Sequence, residues 1–198
     1  MRHWLAEYWG VFAAAVFLLL VLLPFLDYYG LWFDEIFSVV MSRSFDSIVQ
    51  MVRTQENNML LHYLFLWLWQ PFGDGSEFYL RSSSVLLVLL SLIPLHAAAK
   101  RLTNSSVANV AVLFYVTHML VLEHARTCRG YSLALLMSCL VLWCWAVAWQ
   151  SRRQRDWLVV GAVAGLGVWA HYFSLFVPAV LVFAMLWRDR LNQPWRSL

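Results

Sequence analysis

Long apolar runs, separated by short charged segments, limit what this chain can fold into. A segment that crosses lipid needs about 20 mostly apolar residues and must satisfy its own backbone hydrogen bonds, which a helix does. Apolar residues make up 62% of the 198 residues and charged residues only 13%, against about 45–50% and about 25% in soluble domains. The pattern predicts an all-α fold, with residues 1–198 forming one polytopic transmembrane helix bundle.

Five or six spans are predicted, and the first is interpreted as an uncleaved helix because no small-residue cleavage site follows it. The spans cover about residues 8–26, 78–99, 104–122, 131–149, 157–170 and 173–187. Polar side chains interrupt the last apolar stretch at His171. Two short helices that break near His171 are favoured there, and one long tilted helix is the alternative.

Basic residues predict the orientation. With the N-terminus in the cytoplasm, nine of the 14 Lys and Arg residues lie inside and five lie outside, which agrees with the positive-inside rule. Residues 27–77 then form an external loop. Within it, Ser38–Arg53 and Met59–Phe72 are predicted as short helices on the membrane surface. The first would turn Ile48, Met51 and Val52 to its apolar side, and the second would place Tyr63, Phe65, Trp67 and Trp69 at the interface.

Two adjacent carboxylates, Asp34 and Glu35, follow the first span between aromatic residues. Burial beside a membrane would raise the pKa of such a carboxylate and make it a usable base. The alternative is an acidic first helical turn that interacts favourably with the helix dipole.

Two arginines, Arg126 and Arg129, lie in a short external loop. Arginine binds phosphate through a forked pair of donors. The alternatives are snorkelling to the membrane interface and an ion pair with Glu123.

Other polar residues are weaker candidates. Glu56 and His62 lie on the same side of the membrane and are candidate ligands of a divalent metal, and His171 is a polar group in an apolar stretch. Gly161, Gly165 and Gly167 are interpreted as sites of close helix packing.

Some function classes are disfavoured. The arginines lie in loops, so they inform on orientation and do not indicate nucleic-acid binding. A transporter or channel would show ionisable residues deep inside spans or inverted repeats, and the sequence has neither.

Five segments, in this order, resemble the N-terminal part of the GT-C class of membrane glycosyltransferases. The similarity is greatest to the bacterial relatives of protein O-mannosyltransferases and of lipid A aminoarabinose transferases. The segments are Leu31–Glu35, Glu56–Leu64, Phe72–Phe78 with Leu80-Arg81, Arg129–Leu133 and Ala170–Phe173.

The resemblance implies a polytopic enzyme of a bacterial inner membrane. Such an enzyme transfers a sugar from a polyprenyl-phosphate donor to a lipid, glycan or protein acceptor on the non-cytoplasmic side. By resemblance, Asp34 is the base and Glu35 its neighbour in acceptor binding or orientation. Arg129 and Tyr131 correspond to an Arg-x-Tyr near the carrier phosphate.

Further candidate substrate-binding residues are Arg126, Asn58, His62 and His171. No cofactor is certain, and a divalent metal at Glu56 is a candidate. The chain departs from many relatives at Thr127, where they carry Glu, and at Asn58-Met59-Leu60, where they carry His-Pro-Pro.

The family's members are longer, so this chain is expected to be an N-terminal portion, and its partners include membrane lipids. The alternative function is a non-catalytic membrane remnant or subunit that binds a lipid carrier or a partner.

Overall fold

The computed structural model describes residues 2–54 and 58–192, with side chains described for residues 7–54 and 58–188. These residues form ten α-helices joined by short loops and 3-10 turns. The helices are α1 (Arg2–Leu22), α2 (Phe33–Met41), α3 (Phe45–Thr54), α4 (Leu60–Trp69), α5 (Glu77–Leu102), α6 (Ser105–Thr117), α7 (Met119–Ala125), α8 (Tyr131–Ser151), α9 (Gln154–Ala170) and α10 (Phe176–Asn192).

The long helix α5 is the centre of the bundle and packs against α1, α6, α7 and α8. Ser76 caps its start by accepting the N–H of Tyr79, and Lys100 and Arg101 lie in its last turn, where cations interact favourably with the helix dipole. Apolar side chains of α1, α5, α6 and α7 form one buried cluster that includes Leu18 and Val88. This packing fixes the position of α5 in the bundle.

The all-α membrane fold is confirmed, and helix length supports three or four spans. Residues in α1, α5 and α8 form helices long and apolar enough to cross a membrane. The predicted span 104–122 is instead two helices, α6 and α7, bent by 65°, because the extended residue His118 ends one helix and caps the next by accepting the N–H of Leu120. Helices α9 and α10 have 17 residues each, or about 26 Å, so their crossing of the membrane stays a prediction.

The break near His171 is confirmed. Helix α9 ends at Ala170, and a 3-10 turn over Tyr172–Leu175 leads into α10. The His171 Nδ1 atom accepts the N–H of Phe173, which replaces the helical hydrogen bond lost at the extended residue. The alternative of one long tilted helix is therefore wrong.

The loop between α1 and α5 differs from prediction in its first helix. The segment predicted as one helix, Ser38–Arg53, is divided between α2 and α3 because Ser44 caps α3 by accepting the N–H of Ser47. The predicted apolar side is confirmed for Ile48 and Met51, which are buried.

The second surface helix also needs a correction. Helix α4 covers most of the predicted segment, but Tyr63 is fully buried inside the protein and does not face the membrane interface. It packs with residues of α3 and the loop before α4. The loop helices therefore form a small layer against the bundle.

The bundle has two well-separated ends. Arg81 lies near the start of α5 and Lys100 near its end, so the two are about 28 Å apart along the helix. The end that bears Arg81 also carries Tyr131 at the start of α8, and the other end carries Gln150 near the end of α8.

Candidate active site

A buried ion pair between Glu35 and Arg81 holds together the chain segments that form the candidate site. The Arg81 guanidinium binds the carboxylate through two donors, with Nε 3.0 Å from Oε1 and Nη2 2.7 Å from Oε2. The two residues are only 1% and 4% exposed. Glu35 also accepts the N–H of Cys128 at 2.7 Å and the N–H of Trp32 at 3.0 Å. One carboxylate therefore joins the start of α2, the first turns of α5 and the loop before α8.

The remaining Arg81 donors fix the chain that follows α1. Nη1 donates to the carbonyl oxygens of Leu26 and Tyr29, both at 2.7 Å, and Nη2 donates to the Gly30 carbonyl oxygen at 3.0 Å. A buried charge is tolerated only when it is paired and hydrogen-bonded, and Arg81 satisfies both conditions. The segment that leads to Asp34 is held in one position as a result.

The predicted rise in carboxylate pKa is wrong for Glu35. Burial does raise its pKa, but the hydrogen bonds from Arg81 and from the N–H groups of Cys128 and Trp32 outweigh burial and hold the pKa below its usual value. Glu35 is thus a permanent anion at neutral pH and a poor proton acceptor.

Asp34 is the exposed member of the two adjacent carboxylates. Its side chain is 69% exposed, and one carboxylate oxygen lies 3.9 Å from Nη2 of Arg129. The Arg129 Nη1 atom donates to the Asp34 carbonyl oxygen at 3.1 Å and to Ser38 Oγ at 3.2 Å. One contact to the backbone and one to a side-chain hydroxyl therefore keep the guanidinium beside the carboxylate, although Arg129 and Asp34 are 95 residues apart in sequence.

These groups open into a cleft of about 450 Å³. It is lined by Trp32, Phe33, Asp34, Glu35, Glu123, His124, Thr127, Arg129 and Tyr131. The Tyr131 ring stacks on His124 with a centroid distance of 4.5 Å and contacts His171 at 4.7 Å on another side. The cleft therefore combines an exposed carboxylate, a cation and a rigidly packed aromatic wall.

Arg126 belongs to a neighbouring part of the surface. Its Nη2 donates to Glu123 at 2.8 Å in an exposed pair, which is the ion pair that the sequence suggested as an alternative. Arg126 lines two adjoining cavities, and Glu123 lines both of these and the cleft. The pair therefore stands at the rim of the cleft rather than beside Asp34.

The other predicted substrate-binding residues are not among those that line the cleft. Asn58 accepts the N–H of Tyr172 at 3.0 Å and so links the start of α4 to the turn after α9. His171 is buried against Tyr131. His62 is fully buried, and its ring lies beside the Cys128 backbone.

Burial, with the nearby positive charge of Arg129, lowers the pKa of His62 to about 3. The imidazole is therefore neutral at physiological pH.

The metal prediction concerns Glu56, which lies outside the described residues. Within residues 2–54 and 58–192, no group of three or more His, Cys, Asp or Glu side chains is arranged to hold a metal ion. The divalent metal at Glu56 stays a prediction.

Sequence reasoning gave no role to Arg81 or His124. A signal for Arg81 existed, because a lone arginine in the first turns of an apolar helix is costly and needs a partner. His124 had no such signal, since its contact with Tyr131 depends on the bend between α6 and α7 that brings α7 against the start of α8.

Comparison with known proteins identifies the family. A family model for dolichyl-phosphate-mannose-protein mannosyltransferases matches residues 57–198. The match includes Arg129 and Tyr131 and leaves Asp34 and Glu35 outside it. No curated protein and no solved structure matches the chain. The match covers more than half of the sequence and confirms the predicted resemblance to membrane glycosyltransferases, so this protein belongs to the dolichyl-phosphate-mannose-protein mannosyltransferase family.

Proposed function

We propose that this protein transfers a sugar from a polyprenyl-phosphate donor to an acceptor hydroxyl on the non-cytoplasmic side of a bacterial inner membrane. One observation carries the proposal: an exposed carboxylate and a guanidinium lie 3.9 Å apart at one cleft. Transfer of a sugar from a lipid phosphate uses both groups. A base removes the proton of the acceptor hydroxyl, and a cation stabilises the negative charge on the leaving phosphate.

The proposed reaction is a single displacement. The Asp34 carboxylate takes the proton of the acceptor hydroxyl, and the acceptor oxygen forms a bond to the anomeric carbon of the donor sugar. The bond from that carbon to the phosphate oxygen breaks, and its electron pair stays on the polyprenyl phosphate. Arg129 stabilises the charge that builds on this phosphate through a charge-assisted hydrogen bond.

Glu35 has a positioning role in this proposal. It neighbours Asp34 along the chain and accepts the N–H of Cys128, the residue before Arg129. The carboxylate therefore connects the backbone beside the base to the backbone beside the cation. Its own oxygens each accept two hydrogen bonds, which leaves Glu35 unsuited to act on substrate.

Tyr131 forms the wall against which the donor would lie. Contacts with His124 and His171 hold its ring in place, so a donor that contacts the ring meets a preorganised surface. The reaction is assigned to the non-cytoplasmic side because the cleft lies at the end of the bundle opposite Lys100 and Arg101, which the positive-inside rule assigns to the cytoplasm.

The first test compares purified wild-type protein with Asp34→Asn in lipid nanodiscs, using polyprenyl-phosphate mannose with a radiolabelled sugar as the probe. Removing a general base lowers the rate by about 10²–10⁴-fold. The substitution leaves folding intact, since the side chain is exposed. Turnover by Asp34→Asn at the wild-type rate would remove Asp34 from the role of base.

The second test measures binding of polyprenyl phosphate to Arg129→Ala and to the matched control Arg126→Ala. Loss of one charge-assisted hydrogen bond weakens binding by about 10–100-fold, and we expect this for Arg129→Ala. Arg126 is exposed and paired with Glu123, so its loss should have a smaller effect. Equal effects would indicate a diffuse basic surface and contradict the assigned phosphate contact.

A further inference from the structure

A further cavity, of about 770 Å³, lies at the end of the bundle opposite the cleft. Helices α1, α5 and α8 form its walls. Its apolar lining is Val11, Phe12, Ile93, Ala97 and Trp143, and its polar lining is Tyr8, His96, Lys100, Arg101 and Gln150. The polar residues of α5 and α8 lie in or near the last turns of these helices. The cavity therefore has an apolar part towards the membrane centre and a cationic part at the membrane surface.

The two cations of this cavity differ in their partners. Lys100 forms an ion pair with Glu7. Arg101 Nη1 instead donates to the neutral amide oxygen of Gln150 at 3.1 Å, and Gln150 Nε2 donates to the Arg101 carbonyl oxygen at 2.6 Å. Among the described side chains no carboxylate lies within ion-pair distance of Arg101. The amide thus holds the guanidinium at the cavity while leaving its charge uncompensated.

A buried imidazole also lines the cavity. His96 is only 1% exposed, and its ring lies beside the Asn109 side chain and the Glu7 backbone. It adds a polar group to the wall next to the two cations.

We propose that this cavity binds one anionic glycerophospholipid from the leaflet opposite the cleft. Its phosphate lies at Arg101 and Lys100, and one acyl chain lies along Ile93 and Trp143. Basic pockets between transmembrane helices have the chemistry to bind acidic lipid headgroups, and a guanidinium matches the geometry of a phosphate. The site is separate from the proposed reaction, since about 28 Å of α5 lies between Lys100 and Arg81.

Charge and position together favour a glycerophospholipid over the sugar carrier. A donor that reacts beside Asp34 must place its phosphate in the leaflet of the cleft, whereas Arg101 lies at the other membrane surface. The bound lipid would join the ends of α1, α5 and α8, and a ligand that binds only the folded state stabilises it.

The test uses native mass spectrometry to measure the phosphatidylglycerol that the purified chain retains after transfer into phosphatidylcholine nanodiscs. The variant is Arg101→Gln and the matched control is Arg153→Gln, which removes an exposed arginine at the same end of the bundle but outside the cavity. We expect retention to fall about fivefold in Arg101→Gln and to stay unchanged in Arg153→Gln. Equal losses in both variants, or equal retention of the two lipids by the wild type, would overturn the proposal.

Two further experiments test where the acyl chain binds and which phosphate compound occupies the site. Ala97→Trp fills the apolar part of the cavity without changing its charge, so it should also release phosphatidylglycerol, and undiminished retention would refute the site. Inorganic phosphate and polyprenyl phosphate are added as competitors. Displacement of phosphatidylglycerol by inorganic phosphate would indicate a site for free phosphate. Preferential displacement by polyprenyl phosphate would indicate a site for the sugar carrier. Either result would overturn the proposal.

Discussion

Replacing Glu35 by glutamine should lower the free energy of unfolding by more than the loss of an exposed ion pair does. The substitution keeps the shape of the side chain and removes its charge. Each Glu35 oxygen accepts two hydrogen bonds, one from Arg81 and one from a backbone N–H. Whichever way the new amide is turned, its NH₂ group faces two donors, and Arg81 keeps a buried charge without a counter-ion.

The expected loss follows from the burial of the pair. Removing one partner of a buried ion pair costs about 3–5 kcal/mol, because the other charge remains buried. Arg81 retains three carbonyl acceptors, from Leu26, Tyr29 and Gly30, so we expect a value near the lower limit, about 3 kcal/mol.

The free energy of unfolding is measured in detergent micelles by denaturant titration, followed by the fluorescence of the 12 tryptophans. Glu123→Gln is the matched control. It breaks the Glu123–Arg126 pair, whose side chains are about half exposed, and exposed pairs contribute about 0–1 kcal/mol. Equal losses for Glu35→Gln and Glu123→Gln would refute the reasoning from burial.

The same pair predicts a dependence on pH. The folded protein holds the pKa of Glu35 below its usual value of 4.5. The carboxylate therefore contributes its stability fully above about pH 4.5 and loses it as the pH falls through the lower pKa of the folded state. The difference in unfolding free energy between the wild type and Glu35→Gln should shrink on acidification below pH 4.5, and a constant difference would contradict the assigned ion pair.

Three further predictions concern packing and the aromatic wall. Gly130→Ala should destabilise the fold by about 1–3 kcal/mol in the same titration, because an added Cβ would lie 2.8 Å from the carbonyl oxygen of Ala170; a neutral effect would show that the chain around Ala170 shifts to accept the methyl group. Asn109→Ala should cost about 1–2 kcal/mol, since it removes hydrogen bonds to Gly10 N and to the Glu7 carbonyl oxygen that join α6 to α1. Tyr131→Ala should raise the KM for polyprenyl-phosphate mannose while Tyr131→Phe retains most of the binding, and equal losses would assign the effect to the hydroxyl group rather than the ring.

The sequence predicted the membrane fold because lipid imposes a strong local rule. A chain that leaves water must be helical and apolar over each crossing, and this rule acts within about 20 residues. The break at His171 followed from the same rule, because a polar interruption is visible in the sequence. The packing of glycines did not follow. Among the described residues, an added Cβ meets nothing within 4 Å at Gly161 or Gly165, and of these three predicted glycines only Gly167 packs closely, against Ser174 and Met137.

The different surroundings of Asp34 and Glu35 were decided only by tertiary structure. The sequence presents two adjacent carboxylates that any local rule treats alike. Arg81 lies 46 residues from Glu35, and Cys128 lies 93 residues away, so their contacts depend on how α2, α5 and α8 pack. Because α2 turns Glu35 inward and Asp34 outward, one carboxylate becomes a buried anchor and the other faces the cleft beside Arg129.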